Sequence, residues 1–188
     1  MKTTVLIAAL ALGVGISSSQ SLPPSARHAL NKRFSHWTFR PNHIPSLCDH
    51  PGSAGPSFKP ISKCNFNGDG IPDYIVAITT GRDSNLVEYF FALVSNRKRY
   101  DLNLLDSARI YHGAGERIFT VIPAGDTMAV FGDDTLVYNY GKSLGHDGIT
   151  FPTDVIEIDS ECGGHYKPVE AMGFVFIRGR LRAFSAAD

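Results

Sequence analysis

The sequence predicts an α+β fold, in which one N-terminal helix packs on a mostly antiparallel β-sheet. Apolar residues near the start of the chain recur at helical spacing, which indicates an amphipathic helix. From residue 74 onward, short runs of β-branched and aromatic residues alternate with turn residues, which is typical of antiparallel strands. We find no internal repeat with a period of about 20 to 50 residues, and this argues against a propeller or solenoid.

The N-terminus has the features of a secretory signal peptide. Lys2 is followed by an apolar run from Val5 to Ile16, and the small residues Ser17 and Ser19 come next at the spacing of a cleavage site. The run is shorter than the roughly 20 residues that a bilayer span needs. We therefore expect a signal peptide at residues 1–19, a single domain over residues 20–188, and a secreted or periplasmic protein.

The charge balance excludes partners that need a strongly basic or acidic protein. The chain has 18 basic and 18 acidic side chains, and loss of Lys2 with the signal peptide leaves a formal charge of −1. Net charge therefore gives no attraction to nucleic acid or to an anionic membrane. We expect a monomer without a membrane span, whose partner is a protein or a carbohydrate and not a nucleic acid.

The predicted helix covers residues Ser25 to Trp37. It begins after two prolines, and Ala29, Leu30, Phe34 and Trp37 lie on one helical face. We interpret this stripe as a packing face and not as a ligand platform. The proline-rich segment that follows, residues 41–60, is expected to be an irregular connection.

The remaining predicted elements are strands. A two-residue turn, Arg178-Gly179, separates Gly173–Ile177 from Arg180–Phe184 and predicts the clearest hairpin, because glycine readily takes a positive φ. The other predicted strands are Tyr74–Thr80, Leu86–Ser95, Arg117–Ile122, Met128–Phe131, Leu136–Tyr140 and Val155–Ile158.

Three cysteines, Cys48, Cys64 and Cys162, allow three pairings in an exported protein. We favour a disulfide between Cys48 and Cys64. It would close a loop of about 17 residues, which the chain-entropy model values at about 3 kcal/mol. Cys162 remains an alternative partner.

The segment from residue 65 to residue 73 carries the most specific chemistry in the sequence. Oxygen-bearing side chains occupy its positions 1, 3, 5 and 9, namely Asn65, Asn67, Asp69 and Asp73. Gly70 at position 6 permits a tight turn, and position 7 of such a loop supplies a backbone carbonyl, here that of Ile71. Because Ca²⁺ requires six to eight oxygens converging on one point, this spacing predicts a calcium site. The alternative is an empty turn, since Asn, Asp and Gly favour tight turns without a metal.

An EF-hand is excluded, because its position 12 would be a glutamate in a loop leading to a helix, whereas here it is Val76 in a predicted strand. Residues Asn65 to Ile78 instead resemble the calcium loop of FG-GAP and VCBS-type repeats, in which a similar acidic pattern precedes an apolar strand. The sequence departs from the family at Asn65, where the repeats have aspartate, so we expect weak affinity.

The resemblance extends more loosely to small exported bacterial proteins that carry one such loop. It depends on the helical residues Leu30 to Phe34 with Trp37, the loop before Asp73-Tyr74, and the closing Gly179–Leu181 hairpin. The resemblance implies binding or structural calcium, and not a reaction. We therefore predict a non-enzymatic domain.

Two alternative functions stay open. Residues 141–145, followed by His146 and Asp147, match the spacing of a hydrolase nucleophile elbow around Ser143. We expect Ser143 to be idle, because the flanking sequence favours strands and turns, and adjacent Ser, His and Asp rarely meet through space. Ser143→Ala would inactivate a small serine hydrolase and leave a binding domain unchanged. The other alternative is a secreted protein inhibitor.

The other polar clusters predict no site. None of the seven histidines forms a His-x-x-x-His pair, and the Cys48-Asp49-His50 run is too compact for structural zinc. We interpret Asp133-Asp134 as a hairpin turn and the alternate arginines Arg180 and Arg182 as a solvated strand face.

Overall fold

The computed structural model describes residues 21–41, 58–82, 85–109, 116–131, 135–144, 148–161 and 171–187. Several predictions lie outside these ranges: the signal peptide at residues 1–19, the cysteines Cys48 and Cys162, the pair Asp133-Asp134, and the pair His146-Asp147. Cys64 is described as a buried free thiol. The disulfide therefore stays a prediction.

The described chain is nearly all β, with two helices. In chain order the elements are α1 (Pro24–Arg33), β1 (Thr38–Phe39), β2 (Ile61–Cys64), β3 (Asp73–Thr80), β4 (Val87–Asn96), β5 (Arg99–Arg109), β6 (Glu116–Ile122), β7 (Thr127–Phe131), α2 (Thr135–Tyr140), β8 (Lys142–Ser143), β9 (Ile149–Thr150), β10 (Val155–Glu161), β11 (Ala171–Ile177) and β12 (Arg180–Ala187). The predicted fold is confirmed in part, because its mostly antiparallel β-sheet structure is observed.

The strands form two sheets, and every described pair is antiparallel. Sheet A has the order β1-β3-β4-β5, with β2 pairing on β3 as well. β1 and β2 share one side of β3, since Thr38 lies opposite Thr79 and Cys64 lies opposite Asp73. Sheet B has seven strands in the order β6-β10-β11-β12-β7-β9-β8.

Alternation along the strands divides the core into three buried clusters. Ile75 and Phe90 of sheet A pack in one cluster with Phe119 and Ile156 of sheet B, so the two sheets face each other. On the opposite side of sheet A, Val76, Ile78, Phe91 and Leu93 cluster with Ala26 and Leu30 of α1. On the opposite side of sheet B, Val155 and Val175 cluster with Val137 of α2. The period of two in β-strands accounts for this division.

A buried ion pair within sheet A lies where the two sheets meet. Arg40 follows β1, and its Nε lies 2.7 Å from Oε1 of Glu88 in β4, with both side chains almost fully buried. The same guanidinium donates to the carbonyl oxygen of Arg117 in β6 and lies 4.2 Å from the ring centre of Phe58. The charge is therefore held by partners from several segments of the chain.

The predicted helix Ser25–Trp37 is too long. α1 ends at Arg33, because Phe34 turns to an extended conformation with φ −127° and ψ 123°. Trp37 lies beyond the helix, where its indole Nε1 donates to Oδ1 of Asn31 at 2.8 Å and its ring packs edge-on against Phe39.

The predicted strand Leu136–Tyr140 is wrong, because this segment is the helix α2. Val137 is fully buried against sheet B, and the hydroxyl of Tyr138 donates to the carbonyl oxygen of Val130. The Gly141 N–H closes the helix on the Val137 carbonyl at 3.0 Å. Packing thus overrides the strand propensity of valine and tyrosine. Over so few residues, that propensity is only weak evidence for a strand.

The predicted C-terminal hairpin is confirmed. Ile177 pairs with Arg180 across the turn, and Arg178 and Gly179 have φ angles of 50° and 76°. Positive φ at both central residues is the geometry that matches the twist of a two-residue hairpin. None of the helices in the described ranges is long and apolar enough to cross a membrane.

Candidate metal centre

The predicted calcium loop connects β2 to β3 at one end of sheet A. Its limits are fixed by the pairing of Cys64 with Asp73. Gly68 and Gly70 have φ angles of 72° and 76°, which other residues rarely adopt. The sequence between the two strands therefore folds into a tight, glycine-dependent turn.

The carboxylate of Asp73 holds this loop in place by accepting hydrogen bonds from the backbone. Its carboxylate is fully buried, with Oδ2 accepting the N–H groups of Phe66 at 2.8 Å and Asn67 at 3.4 Å, and Oδ1 accepting that of Ser95 at 2.6 Å. Burial raises the pKa of Asp73 above its ordinary value, whereas these backbone donors act in the opposite direction. The carboxylate thus joins the loop to β4.

The side chains of Asn67 and Asp69 turn back over the loop. Asn67 Oδ1 accepts the Asp69 N–H at 3.0 Å, and Asp69 Oδ1 accepts the Ile71 N–H at 2.8 Å. The Asn67 amide donates to Asp69 Oδ2 at 3.1 Å and to the Ser95 carbonyl at 3.2 Å. Carbonyl and carboxylate oxygens have two lone pairs each, so these bonds leave acceptor capacity on the oxygens predicted as ligands.

Asn65 carries the most informative atom of the loop. Its Oδ1 is buried and has no hydrogen-bond partner among the described residues. Both backbone groups of Asn65, in contrast, form hydrogen bonds with Asp154. The N–H donates to Asp154 Oδ2 at 2.7 Å, and the carbonyl oxygen accepts the Asp154 N–H at 3.3 Å. A buried acceptor without a donor is unfavourable, and a cation would satisfy it.

Asp154 is the residue of this site that the sequence analysis missed. It precedes β10, and its Oδ1 accepts the Ala124 N–H at 2.9 Å while Oδ2 accepts the Asn65 N–H. The neighbouring Thr153 lies so close that a Cβ added at Gly68 would be 3.2 Å from its Cγ2. The loop of sheet A therefore rests on the connection leading into sheet B, a contact between residues about 90 positions apart that no local pattern signals.

Cys64 lies close enough to the carboxylates of Asp73 and Asp154 for their charges to affect its pKa. Burial, and then the charges of Asp73 and Asp154, raise the pKa of its thiol far above the ordinary value. The thiol is therefore neutral, and a neutral buried thiol is a poor nucleophile and a poor metal ligand.

The structure brings Asn65, Asn67, Asp69 and Asp73 together in one loop, with Ile71 between the last two. No group of three or more His, Cys, Asp or Glu arranged to hold a metal occurs within the described ranges. A centre in this loop would instead depend on amide and backbone oxygens, with Asp69 and Asp73 as its two carboxylates. Such hard oxygen ligands suit Ca²⁺ and not zinc.

Ser143 lies in β8, directly after α2, and its side chain is exposed. A nucleophile elbow requires a strand before the serine and a helix after it. Here the helix comes first. The two histidines in the described ranges, His28 and His36, are exposed on or just after α1.

Comparison of the chain with models of protein families, with curated proteins and with solved structures finds no significant match. The calcium-loop resemblance therefore remains limited to the residues that carry it.

Proposed function

We propose that this protein is a non-enzymatic, exported binding or interaction domain with one weak structural Ca²⁺ site. Its ligands would be the side-chain oxygens of Asn65, Asn67, Asp69 and Asp73 and the carbonyl oxygen of Ile71. The observation that supports this proposal is the buried Asn65 Oδ1, which lacks a donor. A bound cation would remove the cost of about 1–3 kcal/mol that an unsatisfied buried polar group carries.

A structural role fits the position of the loop better than a catalytic one. The loop is attached to β4 through Asp73 and to the start of β10 through Asp154. An ion in the loop would therefore stabilise a junction between sheets A and B. With α1 packed on sheet A through Ala26 and Leu30, the fold would serve as a scaffold that presents its surface to a protein or carbohydrate partner.

Calcium should raise the melting temperature of the protein slightly. Two formal charges suggest a Kd at the weak end of extracellular modules, about 10⁻⁴ to 10⁻³ M. With about 2 mM ion and a Kd of about 0.5 mM, the stabilisation is about 1 kcal/mol. We therefore expect a shift of roughly 2 to 4 °C by calorimetry. Asn65→Asp should enlarge the shift by adding a carboxylate, and Asp69→Ala should abolish it in a folded protein.

Asp126→Ala is the matched control, because it removes an exposed carboxylate outside the loop. It should leave the calcium shift unchanged. If chelator leaves the melting temperature of both the parent and Asn65→Asp unchanged, the loop is an empty turn and the proposal is wrong.

As the pH is lowered, the rise in melting temperature caused by calcium should disappear at a higher pH than the ordinary pKa of aspartate predicts. Ca²⁺ needs the ionised form of Asp73, and burial raises the pKa of this group. Without calcium the sign is opposite: folded Asp73 holds its proton more tightly than unfolded Asp73, so its contribution to stability grows as the pH falls through the folded pKa. Melting temperatures with calcium or chelator, measured from about pH 7.5 to about pH 4, test this. A calcium shift that persists down to the ordinary carboxyl range would contradict it.

A further inference from the structure

A groove lies between α1 and β5, away from the sheet B contact. It has a volume of about 750 Å³ and is lined on the helix side by Ser25, His28, Lys32 and Arg33, and on the strand side by residues 99–102. Ligand pockets commonly have volumes of about 300–1,000 Å³. The groove is therefore large enough for a molecule of the size of a disaccharide.

The groove concentrates positive charge in a chain whose charges balance overall. Lys32, Arg33 and Arg99 line it with one carboxylate, that of Asp101, whose Oδ1 lies 3.3 Å from Arg99 Nε. With His28 neutral, the lining has an excess of two positive charges. The whole chain, in contrast, has equal numbers of basic and acidic side chains. This local excess is what a ligand with two negative charges would complement.

Part of this charge has a structural explanation, but not all of it. Lys32 and Arg33 lie in the last turn of α1, where cations stabilise a helix. Arg99, the first residue of β5, forms an exposed pair with Asp101 and follows Arg97 and Lys98, which form the hairpin turn. Arg97 has a φ of 48°, a conformation that Asn or Gly adopts at lower cost. The geometry of the turn thus does not favour a cation at Arg97, and attraction of an anionic ligand would explain one.

The lining also restricts the chemistry of the ligand. Single-stranded nucleic acid requires free aromatic faces on which bases stack. The one aromatic residue of the lining, Tyr100, packs edge-on against Tyr74 at 5.9 Å and donates its hydroxyl to the Pro72 carbonyl at 3.1 Å. The remaining lining consists of the charged residues, Ser25, His28 and the apolar residues Ala29 and Leu102. A compact, polar anion therefore fits this lining better than a nucleobase does.

We infer that this groove binds a sugar that carries two or more sulfate, phosphate or carboxylate groups. The inference extends the binding role proposed above by naming a class of partner, and it does not depend on the calcium site. A loop without calcium would leave it standing, and failure of sugar binding would leave the calcium site standing.

A sulfated disaccharide, obtained by digestion of heparin, tests the inference by isothermal titration calorimetry at low salt. The parent should bind it, and Lys32→Glu combined with Arg99→Glu should weaken binding about tenfold or more, because charge-assisted contacts are lost. The matched control is Arg180→Glu combined with Arg182→Glu, which changes the net charge equally on the exposed side of β12. This control should change the affinity less than about twofold.

Lys32 and Arg99 are both exposed, so the groove variant should stay folded, and reversing the charge of Lys32 at the end of α1 should lower its melting temperature by a few degrees at most. If it does not, Lys32→Gln with Arg99→Gln provides the same test without charge reversal. Equal losses in the groove variant and the control would mean that binding follows net charge only, and would overturn the inference. So would binding to long heparin chains without binding to the disaccharide, or equal binding of the unsulfated disaccharide.

Discussion

Replacing Asp73 by alanine should destabilise the protein by about 3 to 5 kcal/mol, measured by urea unfolding. The substitution removes the acceptor of three backbone N–H groups, those of Phe66, Asn67 and Ser95. Each buried donor left without a partner costs about 1–3 kcal/mol, and water entering the space would recover part of the total. The effect is expected with calcium or with chelator, because these bonds exist without an ion.

Asp69→Ala is the matched comparison in the same loop. Asp69 is exposed, and its bonds lie within the turn. We expect a loss of less than about 1 kcal/mol in the presence of chelator. If the two alanine variants lose similar stability in chelator, the buried carboxylate does not have the organising role described for it.

Arg40→Met should destabilise the protein by a similar amount, about 3 to 5 kcal/mol. It would leave the Glu88 carboxylate in the buried interface without the guanidinium that lies 2.7 Å away. Removing one partner of a buried ion pair is costly, whereas replacing both by apolar residues often costs little. Arg40→Met combined with Glu88→Met should therefore be more stable than Arg40→Met alone.

The exposed pair of Arg99 and Asp101 is the control for this experiment, since both side chains are largely in water. Asp101→Asn should change the free energy of unfolding by less than about 0.5 kcal/mol. If the double variant loses as much free energy of unfolding as the Arg40→Met and Glu88→Met variants together, the two charges are not coupled.

The sequence predicted most of the strands because their patterns are local. Runs of β-branched and aromatic residues predicted β3 and β4 to within one residue at each end, and the Arg178-Gly179 turn located the last hairpin. The 11-residue strand β5 was missed, because its charged and polar residues obscure any apolar alternation. α2 was mistaken for a strand because its six residues are too few to distinguish the two periods.

The candidate site was predictable only in its local part. The spacing of Asn65, Asn67, Asp69 and Asp73 was sufficient to expect that their side chains share one turn. The contribution of Asp154 depends on how sheet B meets sheet A, and the buried pair of Arg40 and Glu88 depends on the same contact. Contacts of this kind arise from tertiary packing, which the local pattern of a single sequence does not reveal.

β5 also bears on how the protein avoids aggregation. Among the described strands it is the outermost one of sheet A, and its register with β4 shifts between Phe90 and Phe91, so Leu105 forms a bulge. An exposed edge of 11 residues is a template on which another chain could add a strand. Bulges and charges oppose such pairing, and β5 has both, with Arg99, Asp101 and Asp106 along its length. The polar pattern that hid this strand from sequence analysis is thus the same pattern that protects the sheet from polymerising.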